Sequence, residues 1–260
     1  GIATAGIVGI VKSFGVIKSA LGLAASEFSR KKSDAEAEII RTQRDISMKI
    51  IVIGIVVTLI AVFGFFMFGV VDNIWHAVVG LLIVGIIAFL FTTVAANAIA
   101  IVGSNPVSGM TLMTLILASL IMVAVGLNGT AGMTAALIIG GVVCTALSVA
   151  GAFITDLKIG YWLGSTPKYQ ETYKFLGILV SAATVGGVIM ILNKAYGFTP
   201  DNSDVMAAPQ ARAMAAVIEP LMSGEGAPWL LYGIGACIAL VLNFCGISAL
   251  AFALGMFIPL

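Results

Sequence analysis

The chain has 260 residues, of which 60% are hydrophobic and only 10% are charged, and its formal net charge is +1. Soluble domains carry about 25% charged residues, so the composition excludes an ordinary soluble fold and indicates a polytopic membrane protein. The balanced charge, without a basic stripe, also argues against nucleic acid as a partner.

The first 49 residues differ from the rest in their charge. Residues 1–24 are apolar and Gly-rich but contain Lys12 and Lys18, which favours either the inner end of a truncated helix or an interfacial amphipathic helix. Residues 25–49 carry both signs of charge at helical spacing, as a solvated helical loop does. We therefore expect one membrane domain over residues 1–260, with a charged loop at 25–47.

Long apolar runs follow, and the lipid bilayer is their expected partner. A run needs about 20 residues to span about 30 Å of hydrocarbon. A short helix is also predicted at 208–219, ended by Pro220 and Gly224. The predicted spans cover residues 48–70, 77–102, 110–125, 131–154, 175–192 and, as one full span and the start of a broken one, 229–260. The sequence thus predicts an all-α transmembrane bundle of about six to seven spans, with broken or re-entrant helices.

The basic residues orient these spans. If the first five spans alternate in direction, every Lys and Arg except Lys194 and Arg212 falls on one side. The positive-inside rule then places residues 25–47 and 155–174 in the cytoplasm, and the link at 71–76 outside. That link contains His76, the only histidine, for which proton relay and a plain headgroup position both stay open. We expect a multi-pass protein of the inner or plasma membrane.

The stretch at 103–109 interrupts an expanse from Asn73 to Thr155 that contains no Asp, Glu, Lys or Arg. Pro106 removes a backbone donor, while Asn105 and Ser108 supply hydrogen-bonding side chains. Backbone freed at membrane depth must be buried in protein or line a cavity, and discontinuous helices of this kind form substrate sites in transporters. A tight aqueous turn is the alternative, because Asn-Pro and Ser-Gly are ordinary turn signals. The predicted substrate-binding residues are Asn97, Asn105, Pro106, Ser108, Gly109, Thr111 and Asn243.

Charge returns at residues 155–174, which we call the elbow and predict at the membrane surface. Asp156 lies at the mouth of the fourth span, where an acid can assist proton release or simply anchor and pair. The predicted proton-coupling or gating residues are Asp156, Lys158, Tyr161 and, on the short helix, Glu219. The three cysteines lie in apolar patterns without metal-ligand spacing, so we expect neither a metal site nor another cofactor.

Four stretches resemble the oligopeptide transporter family, whose plant yellow stripe-like branch carries metal chelates. The resemblance covers roughly residues 90–260. The first of the four stretches is similar to a segment of the bacterial members. The resemblance is carried by Asn105-Pro-Val-Ser-Gly-Met-Thr111, by Asp156-Leu-Lys-Ile-Gly-Tyr161 with Ser165-Thr-Pro167 and Gln170, by Pro228-Trp229 with residues 233–236, and by Gly246-Ile-Ser248 with residues 252–260. Family members are about twice this length or more, so we expect this chain to be a fragment.

The resemblance implies secondary active, proton-driven uptake of small peptides or peptide-like metal chelates, without covalent chemistry. We therefore expect no enzymatic activity. Composition alone also leaves open a channel, a membrane-embedded enzyme or the permease subunit of an ATP-driven system. A zinc protease with a His-Glu-x-x-His helix is excluded within this chain by its single histidine. A homo-oligomer is compatible with the sequence.

Overall fold

The computed structural model of the chain describes residues 40–71, 73–102, 107–197, 209–223 and 229–247, with a few isolated positions nearer the two ends. A 3₁₀ turn at Arg41–Gln43 precedes the α-helices. These are α1 (Met48–Gly69), α2 (Ile74–Val102), α3 (Val107–Ala124), α4 (Gly129–Leu163), α5 (Pro167–Ala195), α6 (Pro209–Met222) and α7 (Trp229–Phe244). The predicted all-α helical membrane bundle is confirmed.

Four of the described helices are long and apolar enough to cross a membrane, namely α1, α2, α4 and α5. The described parts of α3 and α7 provide two shorter apolar segments, Met110–Ala124 and Leu230–Phe244. The order of apolar helices predicted from the sequence is therefore present. The predicted division into one membrane domain with a charged loop stays a prediction.

The turn after α4 comes later in the chain than we predicted. The fourth span was expected to end near residue 154, but α4 continues to Leu163 and α5 begins at Pro167. Residues 155–163 contain no proline, and a helix tolerates charged and aromatic side chains at the headgroup level. Gly164, with φ +70°, ends the helix. The Gly164 N–H donates to the Tyr161 carbonyl at 3.2 Å, and the Ser165 N–H donates to the Gly160 carbonyl at 2.8 Å. These two bonds form a Schellman motif.

The short helix α6 differs from its prediction at its C-terminal end. Pro220 and Gly224 were expected to end it, yet Pro220 lies inside Pro209–Met222, and the helix ends two residues before Gly224. The proline removes one backbone donor, and hydrogen bonding resumes beyond it, since Ser223 donates to the Glu219 carbonyl at 2.9 Å. A proline so close to a helix end interrupts few bonds, so the last turn survives.

The described residues divide into two compact units, and the first comprises Met48–Thr155 with residues 210–247. In it α1 packs on α2 and α2 on α3. The buried ring of Phe66 on α1 and the Met122 side chain on α3 both approach Gly80 on α2, at 3.6 and 3.4 Å from where a Cβ would stand. Lipid tails are as apolar as these side chains, so van der Waals packing holds this core together rather than the hydrophobic effect.

Helix α3 is the most enclosed part of this unit. Its buried apolar side chains are Leu112, Met113, Leu115, Ala118 and Met122. Helix α4 contributes a buried stripe at helical spacing, consisting of Ala135, Ala136, Ile139, Val143 and Leu147. The two helices meet at Gly140, where a Cβ would lie 2.4 Å from Leu115 Cδ2, so only a glycine leaves room.

The second unit comprises residues 40–47 and 156–197 as described. It contains the last turns of α4, the whole of α5 and the segment before α1. No side chain of α5 is buried, which contrasts with α3. This unit therefore depends on contacts near the elbow, which are described below.

Candidate functional site

The break predicted at residues 103–109, between the second and third spans, covers fewer residues in the structure. Helix α2 ends at Val102 and α3 begins at Val107, so Ser108 and Gly109 belong to the first turn of α3. Asn105 and Pro106 lie outside the described residues. A proline directly before a helix suits its start, because the ring fixes φ and the missing N–H has no partner there anyway.

The lengths of the two helices bear on the alternative of a simple aqueous turn. Helix α2 has 29 residues, about 43 Å at 1.5 Å per residue, and is long enough to cross. Helix α3 has 18 residues, about 27 Å, which is shorter than about 30 Å of hydrocarbon. A short helix after a break is the geometry of a broken-helix site. The depth of the break in the bilayer stays a prediction.

Among the described side chains of α3, three polar ones are buried, and small hydroxyl residues of this kind are common where membrane helices pack together. Thr111, a predicted site residue, is only 4% exposed, and Thr114 and Ser119 are fully buried. Thr114 Oγ1 donates to the Met110 carbonyl oxygen at 2.9 Å. The first-turn N–H groups of α3 lack carbonyl partners within the helix and face the break, where they favour an anionic group. Sequence reasoning did not single out Thr114 or Ser119.

The remaining predicted substrate-binding residues lie on other helices. Asn97 is in the last two turns of α2, where the structure describes its backbone only. Asn243 was expected near the middle of an apolar segment, but it is the penultimate residue of α7. Its carbonyl accepts the Gly246 N–H at 3.2 Å in a Schellman turn, with φ +76° at Gly246. Asn243 therefore sits at a helix end, on a different helix from Thr111.

Three of the predicted gating residues lie in the last turns of α4, namely Asp156, Lys158 and Tyr161. Asp156 forms an ion pair with Lys174 on α5. Its side chain is 56% exposed, and exposed pairs contribute only about 0–1 kcal/mol. This pairing matches the anchoring alternative, whereas a role in proton release stays a prediction. Glu219 is exposed on α6, in the first unit.

Lys158 lies over two exposed aromatic rings of its own helix. Its Nζ is 5.8 Å from the ring centroid of Tyr161 and 5.6 Å from that of Trp162. Such cation–π contacts at exposed sites are worth about 0.5–1 kcal/mol. The arrangement of Lys, Tyr and Trp at a helix end is typical of a membrane interface, and it supports the predicted surface position of the elbow.

The elbow also binds the segment before α1, which the sequence did not reveal. Three hydrogen bonds join the two, and we call them together the elbow contact. Arg41 Nη2 donates to the Gly164 carbonyl at 3.0 Å and the Lys168 N–H donates to the Arg44 carbonyl at 3.0 Å. The Ile46 N–H donates to Glu171 Oε2 at 2.9 Å. Residues 40–47 and the elbow therefore lie on one side of the membrane, as their shared basic charge predicted, although which side stays a prediction.

A close approach inside the elbow explains one spacing in its sequence motif. A Cβ at Gly160 would lie 2.1 Å from Gln170 Nε2 and 2.4 Å from Gln170 Oε1. The Gln170 carboxamide thus packs directly on the backbone of α4, and a larger residue at position 160 would require this side chain to move. Gly160 and Gln170 work as one packing unit that holds α4 and α5 at their shared turn.

Comparison with known proteins gives two matches. The model of the OPT oligopeptide transporter protein family matches residues 2–260. A curated protein of Haemophilus influenzae, provisionally named an oligopeptide transporter, is 27% identical over 202 residues, which are 66% of this chain and 32% of the relative. The chain therefore spans about a third of that relative's length. No solved structure matches the chain.

Proposed function

Because the chain belongs to the OPT oligopeptide transporter family, we propose that it forms part of a secondary active transporter that imports small oligopeptides or peptide-like metal chelates by proton coupling. The observation that carries this proposal is the family match over residues 2–260. The interrupted apolar pair α2 and α3 supports it, since secondary transporters place their substrates at such interruptions.

In this proposal the break and the start of α3 bind the substrate. A peptide is zwitterionic, so its site must satisfy a carboxylate and an ammonium group without a bulk water shell. The first-turn N–H groups of α3 would bind the carboxylate, and side-chain oxygens at Asn105, Ser108 and Thr111 would accept from the ammonium group. Neutral polar groups suit this task because they leave no unpaired charge buried after the substrate leaves.

The function is tested by uptake into proteoliposomes that contain the whole protein. An imposed proton gradient, acidic outside and without ATP, should drive labelled di- to hexapeptides inward, and a protonophore should abolish the uptake. A panel of unlabelled peptides and metal chelates in competition then identifies the substrate class. Uptake that requires ATP, or flux that follows the substrate gradient alone, would contradict secondary active transport.

We further propose that the elbow and residues 40–47 face the cytoplasm, because the basic residues concentrate there. In a background without native cysteines, Ser33→Cys and Ser165→Cys should react with an impermeant maleimide only from the cytoplasmic side. Ser203→Cys should react only from outside. Ser33 and Ser203 lie outside the described residues, while Ser165 is partly exposed in the turn after α4. Reversed labelling would overturn the orientation, and labelling from both sides would overturn the span order.

A further inference from the structure

One titratable side chain stands at the edge of the uncharged expanse. Between Asn73 and Thr155 the sequence contains no Asp, Glu, Lys or Arg, and His76 is the only histidine of the chain. Histidine is the residue whose charge changes between about pH 5 and pH 8. On α2, α3 and α4 up to Thr155, His76 is therefore the only residue among the types Asp, Glu, His, Lys and Arg.

The surroundings of His76 leave one of its nitrogens without a partner. His76 lies in the first turn of α2, and its Nε2 is 3.4 Å from the Val125 carbonyl oxygen. Its Nδ1 is buried and has no hydrogen-bond partner in the described part of the chain. An unsatisfied buried polar atom costs about 1–3 kcal/mol. Such an atom needs an explanation, and a role in chemistry or a bound water each supplies one.

The carbonyl opposite His76 belongs to the end of α3. Helix α3 ends in a Schellman motif, in which Gly126 donates to Val123 at 3.0 Å and Leu127 donates to Met122 at 3.0 Å. Val125 follows directly on the last helical residue, so its carbonyl is one of the terminal groups that a helix leaves for a partner outside it, and His76 Nε2 lies beside it. In the imidazolium both nitrogens carry a proton, so Nε2 always donates to Val125.

A second unpartnered polar atom lies along the same pair of helices. Ser119 Oγ on α3 is fully buried and also lacks a hydrogen-bond partner among the described residues. His76 faces Val125, and Gly80 faces Met122, so α2 and α3 run antiparallel here. Ser119 is six positions before Val125, about 9 Å along α3. Buried waters typically satisfy such groups, and α3 leads from them towards the break.

Charged groups near this end of the unit are few. Asp72 precedes His76 by four positions and lies outside the described residues. The neighbouring α6, whose Met222 Cε lies 3.2 Å from where a Cβ of Gly132 would stand, carries Arg212 and the exposed Glu219. No charged residue on α2 or α3 faces His76, because the sequence has none there.

We propose that His76 binds the proton that is coupled to substrate uptake. This inference rests on the proposed function, and it adds the residue at which the coupling ion enters. The proton arrives from the side of the α1–α2 link, which the charge distribution places outside. Protonated His76 then holds the end of α3, while the other end of the same helix begins at the substrate site.

The test compares two modes of transport by the whole protein in proteoliposomes. His76→Gln keeps a side-chain amide but cannot be protonated. We expect its net proton-driven uptake to fall about tenfold or more and to lose its dependence on external pH between about 5 and 8. Counterflow, in which labelled substrate exchanges for unlabelled substrate without net proton movement, should continue. Trp75→Phe, at the exposed neighbouring position, should behave like the wild type.

A second variant keeps the test decisive if His76→Gln does not reach the membrane. His76→Arg carries a permanent positive charge, so it too should show pH-independent transport with counterflow retained. If wild-type protein shows proton-driven uptake and both variants keep its full pH dependence, this inference is overturned while the proposed function stands. If the wild type shows no proton-driven uptake at all, the proposed function fails and this inference fails with it.

Discussion

Replacing Asn105 with alanine should lower peptide uptake by about ten- to a hundredfold, because a hydrogen bond to a charged substrate group contributes about 1.5–3 kcal/mol. Ser108→Ala, in the first turn of α3, should have a similar effect. Neither residue is among the buried core side chains described for α3, so we expect the amount of protein in the membrane to stay the same. Uptake of a labelled peptide, normalised to protein in the vesicles, measures the loss.

Ser181→Ala provides the matched control for these two variants. Ser181 lies on α5, where it is exposed and no side chain is buried, so its loss should leave uptake unchanged. Full uptake by both Asn105→Ala and Ser108→Ala would show that residues 103–109 form a solvated turn outside the substrate path. The aqueous-turn alternative would then be the correct interpretation of this segment.

Replacing Gly140 with alanine should destabilise the protein by about 1–3 kcal/mol, as overpacking of a well-packed core does. The new Cβ would lie 2.4 Å from Leu115 Cδ2 and 2.8 Å from its Cγ. A flexible side-chain end can often move, but Leu115 is only 2% exposed and has little space to do so. The midpoint of unfolding by denaturant or heat, measured on purified protein, reports the change.

Gly141 is the control, because a Cβ there meets nothing within 4 Å. Alanine is favoured over glycine by about 0.5–1 kcal/mol in a helix interior, so Gly141→Ala should be neutral or slightly stabilising. The double variant Gly140→Ala with Leu115→Ala should lose less stability than the sum of the two single changes, because the two residues are in contact. Equal stability of Gly140→Ala and Gly141→Ala would contradict the close contact between α3 and α4.

The sequence predicted the spans well because their length is fixed by the bilayer. Predicted residues 48–70 became Met48–Gly69, and the other apolar runs also became helices. It failed at the end of α4, since we ended the span at the first charged residues. A helix ends where its backbone hydrogen bonds end, and here that point is set by the positive φ of Gly164.

The buried face of each helix could not be predicted. In water a helix shows its buried face by an alternation of apolar and polar residues, but lipid and protein core are both apolar. The burial of Thr114 and Ser119 is therefore visible only in the packed structure. The same holds for partners remote in sequence, such as Lys174 for Asp156 and Glu171 for the Ile46 N–H.

The elbow contact also sets an order of events during synthesis. Arg41 and Gly164 are 123 positions apart, and Ile46 and Glu171 are 125 apart. A nascent chain grows at about 5–20 residues per second, so residues 40–47 wait about 6–25 s for their partners. During that interval the Arg44 carbonyl and the Ile46 N–H lack the partners that they have in the folded protein, and water can satisfy both groups. The elbow contact of residues 40–47 can therefore be completed only after the first turns of α5 have been synthesised.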